Sequence, residues 1–313
     1  MIKTIKEALI GENVEMFLKF QNIQFKKTPS NQDYASIIGF DSKDLIDVKI
    51  WKLPLDRKNI LKNGEIYYCT GTIKEYQGKK QFNIDELRVV FEGEVDEKQF
   101  FEYAPLSKEE LQTKISSYIN SITNPLIKEI VLKTVKKYVG EFFEYPAAMS
   151  IHHNFISGLA YHTYSMLCLS GPYLKMYPYL NKNLVYAGII LHDIGKVKEL
   201  SGSKSTTYTK EGNLLGHISI GAMMLHDVCK ELNCEDSDEA LALEHIILSH
   251  HGKLEYGSPK EPTIPEAALI FLLDYADSRF AALSKLVGEV EKGEYTEPVF
   301  AFDKRAFYIP KID

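Results

Sequence analysis

The hydrophobic pattern of this chain changes period near residue 100, and that change limits what it can fold into. From about residue 10 to 95 the apolar residues come in short, partly alternating runs: "VEMFLKFQNIQFKK", "DYASIIGFDS", "LIDVKIWKL", "EIYYCTGTIKEY" and "KQFNIDELRVV". They are rich in Val, Ile, Tyr and Phe, with Gly39, Gly64, Gly71 and Gly78 between or within them, which predicts five strands. "EYQGKKQF" predicts a hairpin with Gly78 in its turn. From Pro105 onward the spacing is helical. "SKEELQTKISSYINSI" carries a capping box, Ser107 with Glu110 three residues on, and "NPLIKEIVLKTVKKYVGEFFEYP" stops before Pro146.

The expected fold class is therefore α+β and multidomain. A five-stranded β-barrel spans 1–95, helical segments that pack on the next domain span 96–145, an all-α bundle spans 146–290, and a tail spans 291–313. The aromatic, irregular tail is expected to dock on a neighbouring surface. A chain of 313 residues is long enough for two cores.

Charge and cysteines narrow the function classes. The net charge of −6 argues against a general polyanion binder, but it is unevenly distributed. Residues 1–95 hold 15 Lys/Arg against 14 Asp/Glu, and the remainder 22 against 29. The N-terminal part can approach a phosphate backbone more easily, while bound cations could offset the acidity of the rest. None of Cys69, Cys168, Cys229 and Cys234 forms a C-x-x-C pair, as in a reduced cytosolic protein. The start "MIKTIKEALIGENVE" lacks the apolar core of a signal peptide, and no run approaches the ~18 apolar residues of a membrane span. The expected location is the cytoplasm.

The chemistry concentrates in "LHDIGK", where His192 and Asp193 offer adjacent nitrogen and oxygen donors. His162, His217, His250, His251 and Asp277 lie at wide intervals on other apolar segments. Helices that converged them would hold two divalent ions about 3.5–4 Å apart, the spacing of two-metal hydrolases. Imidazole and carboxylate donors suit Mn²⁺, Fe²⁺, Ni²⁺ or Zn²⁺, and the lack of Cys donors argues against a structural zinc. His226 lies nine residues beyond His217, half a turn round the same helix, and should face away.

Two resemblances follow. Residues 10–95 resemble an OB-fold through their strand order, the "DVKIW" strand and the "NGEIYYCTGTIKEYQGKKQFNI" pair. Such folds stack bases on aromatics in a basic groove. That points to Phe25, Tyr34, Trp51, Tyr76 and Phe82, with Lys49, Lys74, Lys79 and Lys80. Residues 145–290 resemble the HD superfamily of metal-dependent phosphohydrolases. His162, His192-Asp193 and Asp277 match its H…HD…D order, and His217 with His250-His251 extends the match to the two-metal subset. The resemblance implies that His162, His192, Asp193 and Asp277 hold one ion and that Asp193 bridges to a second held by His217, His250 and His251. A bridging water would attack phosphorus, with Lys196 neutralising the transition-state oxygens. Asp274, one turn before Asp277, competes for the last position; the "YAD" context favours Asp277.

"YPAAMSIHHNFISGLAYHTYSML", "LHDIGKVKEL", "GNLLGHISIGAMML" and "ILSHHGKLEYGSPKEP", together with the order of the domains, resemble the YhaM family of 3′→5′ exoribonucleases. The chain departs from that family at Asp274, where a neutral residue is expected. The resemblance implies Mn²⁺-dependent release of 5′-mononucleotides from single-stranded RNA or DNA, with two divalent ions; Co²⁺ and Mg²⁺ join the alternatives. No membrane partner is implied, and a homo-oligomer stays open. His152 and His153 are candidates to contact the scissile phosphate or terminal ribose, with His153 preferred as catalytic beside Asp193 and Lys196. Lys253, Tyr256 and Arg279 are candidate substrate contacts. The competing readings are a small-molecule nucleotide or cyclic-nucleotide phosphodiesterase with a regulatory barrel, and a non-catalytic DNA-binding replication factor.

Overall fold

The computed structural model describes every residue except Met1, Lys52, Pro54, Ser150, Ile151, His152 and Asp313; His152 thus lies outside the described residues. The chain divides into two compact units, Met1–Glu102 and Tyr103–Asp313.

The first unit is a closed barrel of β1 (Asn13–Lys27), β2 (Asp33–Phe40), β3 (Leu45–Ile50), β4 (Ile66–Tyr76) and β5 (Lys79–Val89), ordered β1-β2-β3-β5-β4. Neighbours run antiparallel except β3 and β5, which pair in parallel. Helix α1 (Leu55–Ile60) lies in the connection between β3 and β4. This order and closure are those of an OB-like five-stranded barrel. Alternation sets its interior: Val14, Met16, Leu18 and Phe20 of β1 point inward and are buried. Phe82 pairs with Ile73 and Val48, and all three are fully buried. The β4–β5 hairpin turns through Gln77 and Gly78, both at positive φ, as a type I′ turn requires. At the register shift between Thr70 and Gly71, a Cβ on Gly71 would lie 2.1 Å from the Asn83 carbonyl oxygen, so only glycine fits.

The second unit is helical: α2 (Lys108–Asn120), α3 (Pro125–Lys137), α4 (Val139–Glu144), α5 (Gly158–Met176), α6 (Lys182–Leu191), α7 (Lys196–Glu199), α8 (Lys210–Glu231), α9 (Asp238–Ser249) and α10 (Pro265–Val287). Ser107 caps α2 through both bonds of the expected capping box. Leu111, Ile127 and Phe142 share one apolar core with Leu159, Ile190 and Ile246. Every residue from Val185 to Leu191 is buried. A helix apolar on all sides must be surrounded, and α6 packs against α3, α5, α9 and α10. The His192-Asp193 pair at its end is thereby delivered to the middle of the bundle. In the tail, Tyr295 bridges Tyr308 and Val299 bridges Arg305, and the Phe302 ring meets Phe280 of α10. No helix among the described residues is long and apolar enough to cross a membrane.

Candidate metal centre

Five histidine rings converge on Asp193, each held from behind. His192 Nδ1 donates to the Ile189 carbonyl and His250 Nδ1 to the Ile247 carbonyl, both at 2.7 Å. His251 Nδ1 donates to Tyr256 O at 2.8 Å. His217 Nδ1 faces Glu199 Oε1 at 3.2 Å, and His162 Nδ1 faces Asp277 Oδ2 at 2.6 Å. A carbonyl oxygen can only accept, so His192, His250 and His251 carry a proton on Nδ1, and in the neutral ring Nε2 keeps its lone pair. This outer support is what orients metal-binding histidines.

The Nε2 atoms then meet carboxylate oxygens. His162 Nε2 lies 3.3 Å from His192 Nε2, 3.2 Å from Asp274 Oδ1 and 3.8 Å from Asp193 Oδ2. His192 Nε2 lies 3.3 Å from the same Asp193 Oδ2. On the other side, Asp193 Oδ1 lies 3.5 Å from His217 Nε2 and 3.6 Å from His250 Nε2. Ligand bonds of about 2.0–2.2 Å to one ion put neighbouring donors roughly 2.9–3.6 Å apart, and these separations cluster at that spacing. Asp193 Oδ1, His217 Nε2 and His250 Nε2 are buried with no hydrogen-bond partner among the described residues. Orphaned buried polar atoms are costly; three facing one another fit a divalent cation. Three groups, His217 with His250 and His251, His162 with His192 and Asp193, and His153 with His162 and Asp277, each offer donors within 4.8 Å of one another.

Local sequence explains the convergence. Gly216, at φ 70° and ψ 155°, breaks α8 just before His217. A Cβ on Gly195 would lie 2.0 Å from the His217 carbonyl oxygen, so a glycine lets the segment after His192-Asp193 press against α8. His226 turns away and pairs with Glu244 at 2.9 Å.

Burial and charge act in opposition here. Burial works against the charge of Asp193, but Lys196 and His192 override it and hold the carboxyl well below its usual range. Lys196 Nζ donates to Asp193 Oδ2 at 2.6 Å. Burial drives His250 down to about 3, against its contact with Asp193, and lowers His251 as well. Burial also opposes protonation of His162, yet Asp274 and Asp277 push it up to about 10.

Three sequence expectations change. Asp277 sits on the Nδ1 side of His162, where it also accepts from His153 Nε2 at 2.8 Å and from the Ser165 hydroxyl; the carboxylate on the shared Nε2 side is Asp274. The two lie three residues apart on α10, close enough in angle that spacing could not separate them. His153 is 7% exposed and engaged behind His162, so it is not presented to a substrate phosphate. Phe82 is 0% exposed in the barrel core and cannot stack a base.

The other candidate residues have varied surroundings. Trp51 is 47% exposed, stacked 4.9 Å from Tyr34, and donates to Asn83 Oδ1 at 3.2 Å. Phe25 is exposed with Lys58 Nζ 4.9 Å from its ring, and Tyr76 is exposed at the hairpin end. Lys74 and Lys79 are exposed, whereas Lys80 is tied to the Ile5 and Lys6 carbonyls and Lys49 to Ser36. Lys253 pairs with Glu255. Glu199 went unnoticed in the sequence: it is buried, accepts from the His217 backbone N–H at 2.9 Å, and faces the ring of the same residue. Its only signal was an acid six residues beyond Asp193. A cleft of about 360 Å³ reaches the cluster, lined by Lys196, Glu199, His217, His251, Asp274 and Arg279 among others.

Residues 159–279 match the family model of the HD domain. The helical unit therefore contains a domain of the metal-dependent phosphohydrolase superfamily. Among solved structures, the chain is similar to a domain of replication protein A from Methanococcus maripaludis, at 18% identity over 29% of this chain and 96% of that one, TM-score 0.26. It is also similar to PriB from Ralstonia solanacearum, at 11% identity over 26% and 98%, TM-score 0.22. A third is Entamoeba histolytica asparaginyl-tRNA synthetase, at 15% identity over 49% and 39%, TM-score 0.26.

Proposed function

We propose that this protein is a metal-dependent 3′→5′ exonuclease of single-stranded RNA or DNA, releasing 5′-mononucleotides. The observation that carries the hydrolytic part is the divided carboxylate of Asp193: one oxygen serves His162 and His192, while the other faces the orphaned nitrogens of His217 and His250. In this reading His162, His192, Asp193 and Asp274 hold one ion, and Asp193, His217, His250 and His251 hold a second, with Mn²⁺ the expected metal. Asp277 and Glu199 are positioning residues that fix the rings of His162 and His217. Such ions supply a deprotonated water and neutralise phosphate oxygens. Lys196, charged and lining the cleft, adds a positive group against the developing phosphorane charge.

The nuclease part rests on the OB-like barrel in the same chain and on the motif resemblance to the YhaM family. Exposed Trp51 on Tyr34, with Phe25 and Tyr76, offers stacking surface; Lys74 and Lys79 offer charge for a strand backbone. Single-stranded RNA labelled at its 5′ end and incubated with Mn²⁺ tests both parts. Shortening from the 3′ end, absent with EDTA and in Asp193→Asn, is expected. An intact strand alongside cleavage of cyclic or small phosphodiesters would replace the nuclease with a nucleotide phosphodiesterase. No turnover of either would leave a strand-binding protein.

A further inference from the structure

Beside the histidine cluster, α10 and the loop after His251 build a second feature. Tyr275 and Arg279 stand one turn apart on α10, and the Arg279 guanidinium carbon lies 3.5 Å from the Tyr275 ring centroid. Tyr256 presents a second ring 6.5 Å from Tyr275, tilted by 33°. Tyr275 is packed from behind by Phe271, edge to face at 5.8 Å, so the platform is braced. Both tyrosines remain substantially exposed, at 37% and 41%, and all three residues line the cleft that reaches His217, His251 and Asp274.

Arg279 is half-buried, yet no carboxylate pairs with it among the described residues, and its guanidinium rests on the Tyr275 ring. A guanidinium stacked on an aromatic keeps its in-plane donors for a planar fork of oxygens. Tyrosine faces accept any base because every base has a π-face.

We propose that Tyr256, Tyr275 and Arg279 form a nucleotide subsite, with the base against the tyrosines and a phosphate on Arg279, so that the helical unit itself selects nucleotidyl over other phosphoesters. This names the substrate class of the site and rests on the phosphodiesterase reading above. It also puts specificity on the helical unit, where the aromatic residues of the barrel would otherwise bear it alone.

Calorimetric titration of the full chain, saturated with Mn²⁺, tests it with adenosine 5′-monophosphate against ribose 5-phosphate, which lacks the base. The nucleotide is expected to bind at least ~10-fold more tightly, as stacking on a platform predicts. Tyr275→Leu and Tyr256→Leu should each reduce that margin to roughly 3-fold or less, and Tyr275→Phe should keep it. Arg279→Ala should weaken both ligands by about 10-fold while leaving the margin. Equal binding of the two ligands by the unaltered protein would overturn the subsite, as would a margin that survives both leucine variants. The labelled-strand assay separates the two readings. Hydrolysis without a margin sinks the subsite alone, whereas a margin without hydrolysis of either the strand or a small phosphodiester upholds the subsite and sinks the phosphodiesterase.

Discussion

Met16, Leu18, Phe20, Ile37, Val48, Ile50 and Phe82 fill the interior of the barrel and leave almost nothing polar inside. The interior of the helical unit is divided. Around α6 it is just as apolar, but at the end of that helix it encloses His162, His192, Asp193, Lys196, His250 and Asp277. Burying charge costs several kcal/mol per ion unless it is paired, and a fold selected for stability alone would fill the space with aliphatic side chains. The barrel therefore uses its interior to hold its shape and leaves Trp51 and Phe25 exposed on the outside. The helical unit encloses its histidine and aspartate cluster and depends on α6 and the surrounding helices to hold it there.

That contrast can be broken most severely at Asp193. Asp193→Asn keeps the volume and removes the shared charge. Loss of hydrolysis by at least about 10³-fold is expected, since a metal supplies several kcal/mol of transition-state stabilisation. Strand binding by the barrel should be unaffected, as filter binding would show. A variant that kept a tenth of its activity would return the centre to a structural role.

The converse change is Phe82→Ala, expected to cost the barrel about 3–5 kcal/mol. Urea unfolding followed by Trp51 fluorescence would report it, because Trp51 is the one tryptophan. The response of the helical unit to metal should not change; if it did, the two interiors would not be independent. Metal itself comes next. Addition at 100 times its dissociation constant should stabilise the helical unit by about 2.7 kcal/mol, reversibly with EDTA, while amides in the barrel keep their hydrogen-exchange rates. Equal protection of both units would erase the distinction.

Glu199→Gln sharpens the comparison inside the helical unit. It removes the charge behind His217 and touches no ion, so metal affinity should fall about 10- to 100-fold. Alanine at Glu244, the partner of His226 outside the cluster, serves as the control and should change nothing. The smallest expected effect is on the barrel surface. Trp51→Ala should weaken single-strand binding by about 1–3 kcal/mol and leave turnover of a small phosphodiester unchanged. Loss of small-ester turnover in that variant would count against a division of labour between the units.

The chain's own order of residues determined a good deal. Period-two runs before residue 95 and period-3.6 runs after 105 specified a barrel followed by helices, because alternation and helical spacing bury one face only in their own conformation. Ser107 with Glu110 specified the start of α2, a bond pattern local to four residues. The His192-Asp193 dipeptide, at the end of an all-apolar segment, marked the centre. Tertiary structure alone decided what depends on angle and distance across the fold. Asp274 and Asp277 share one face of α10, and only the position of the His162 ring between them separates a carboxylate on the Nε2 side from one on the Nδ1 side. The sequence offers His153 as a phosphate contact, and the fold buries it against Asp277 instead. Phe82 carries the same signature as an exposed strand aromatic, and its direction follows from the closure of the barrel. Glu199 gained its role when Gly195 brought α7 and α8 together. Sequence specifies which residues share a helix face or a strand face; which face meets which partner is set by packing between elements distant in the chain.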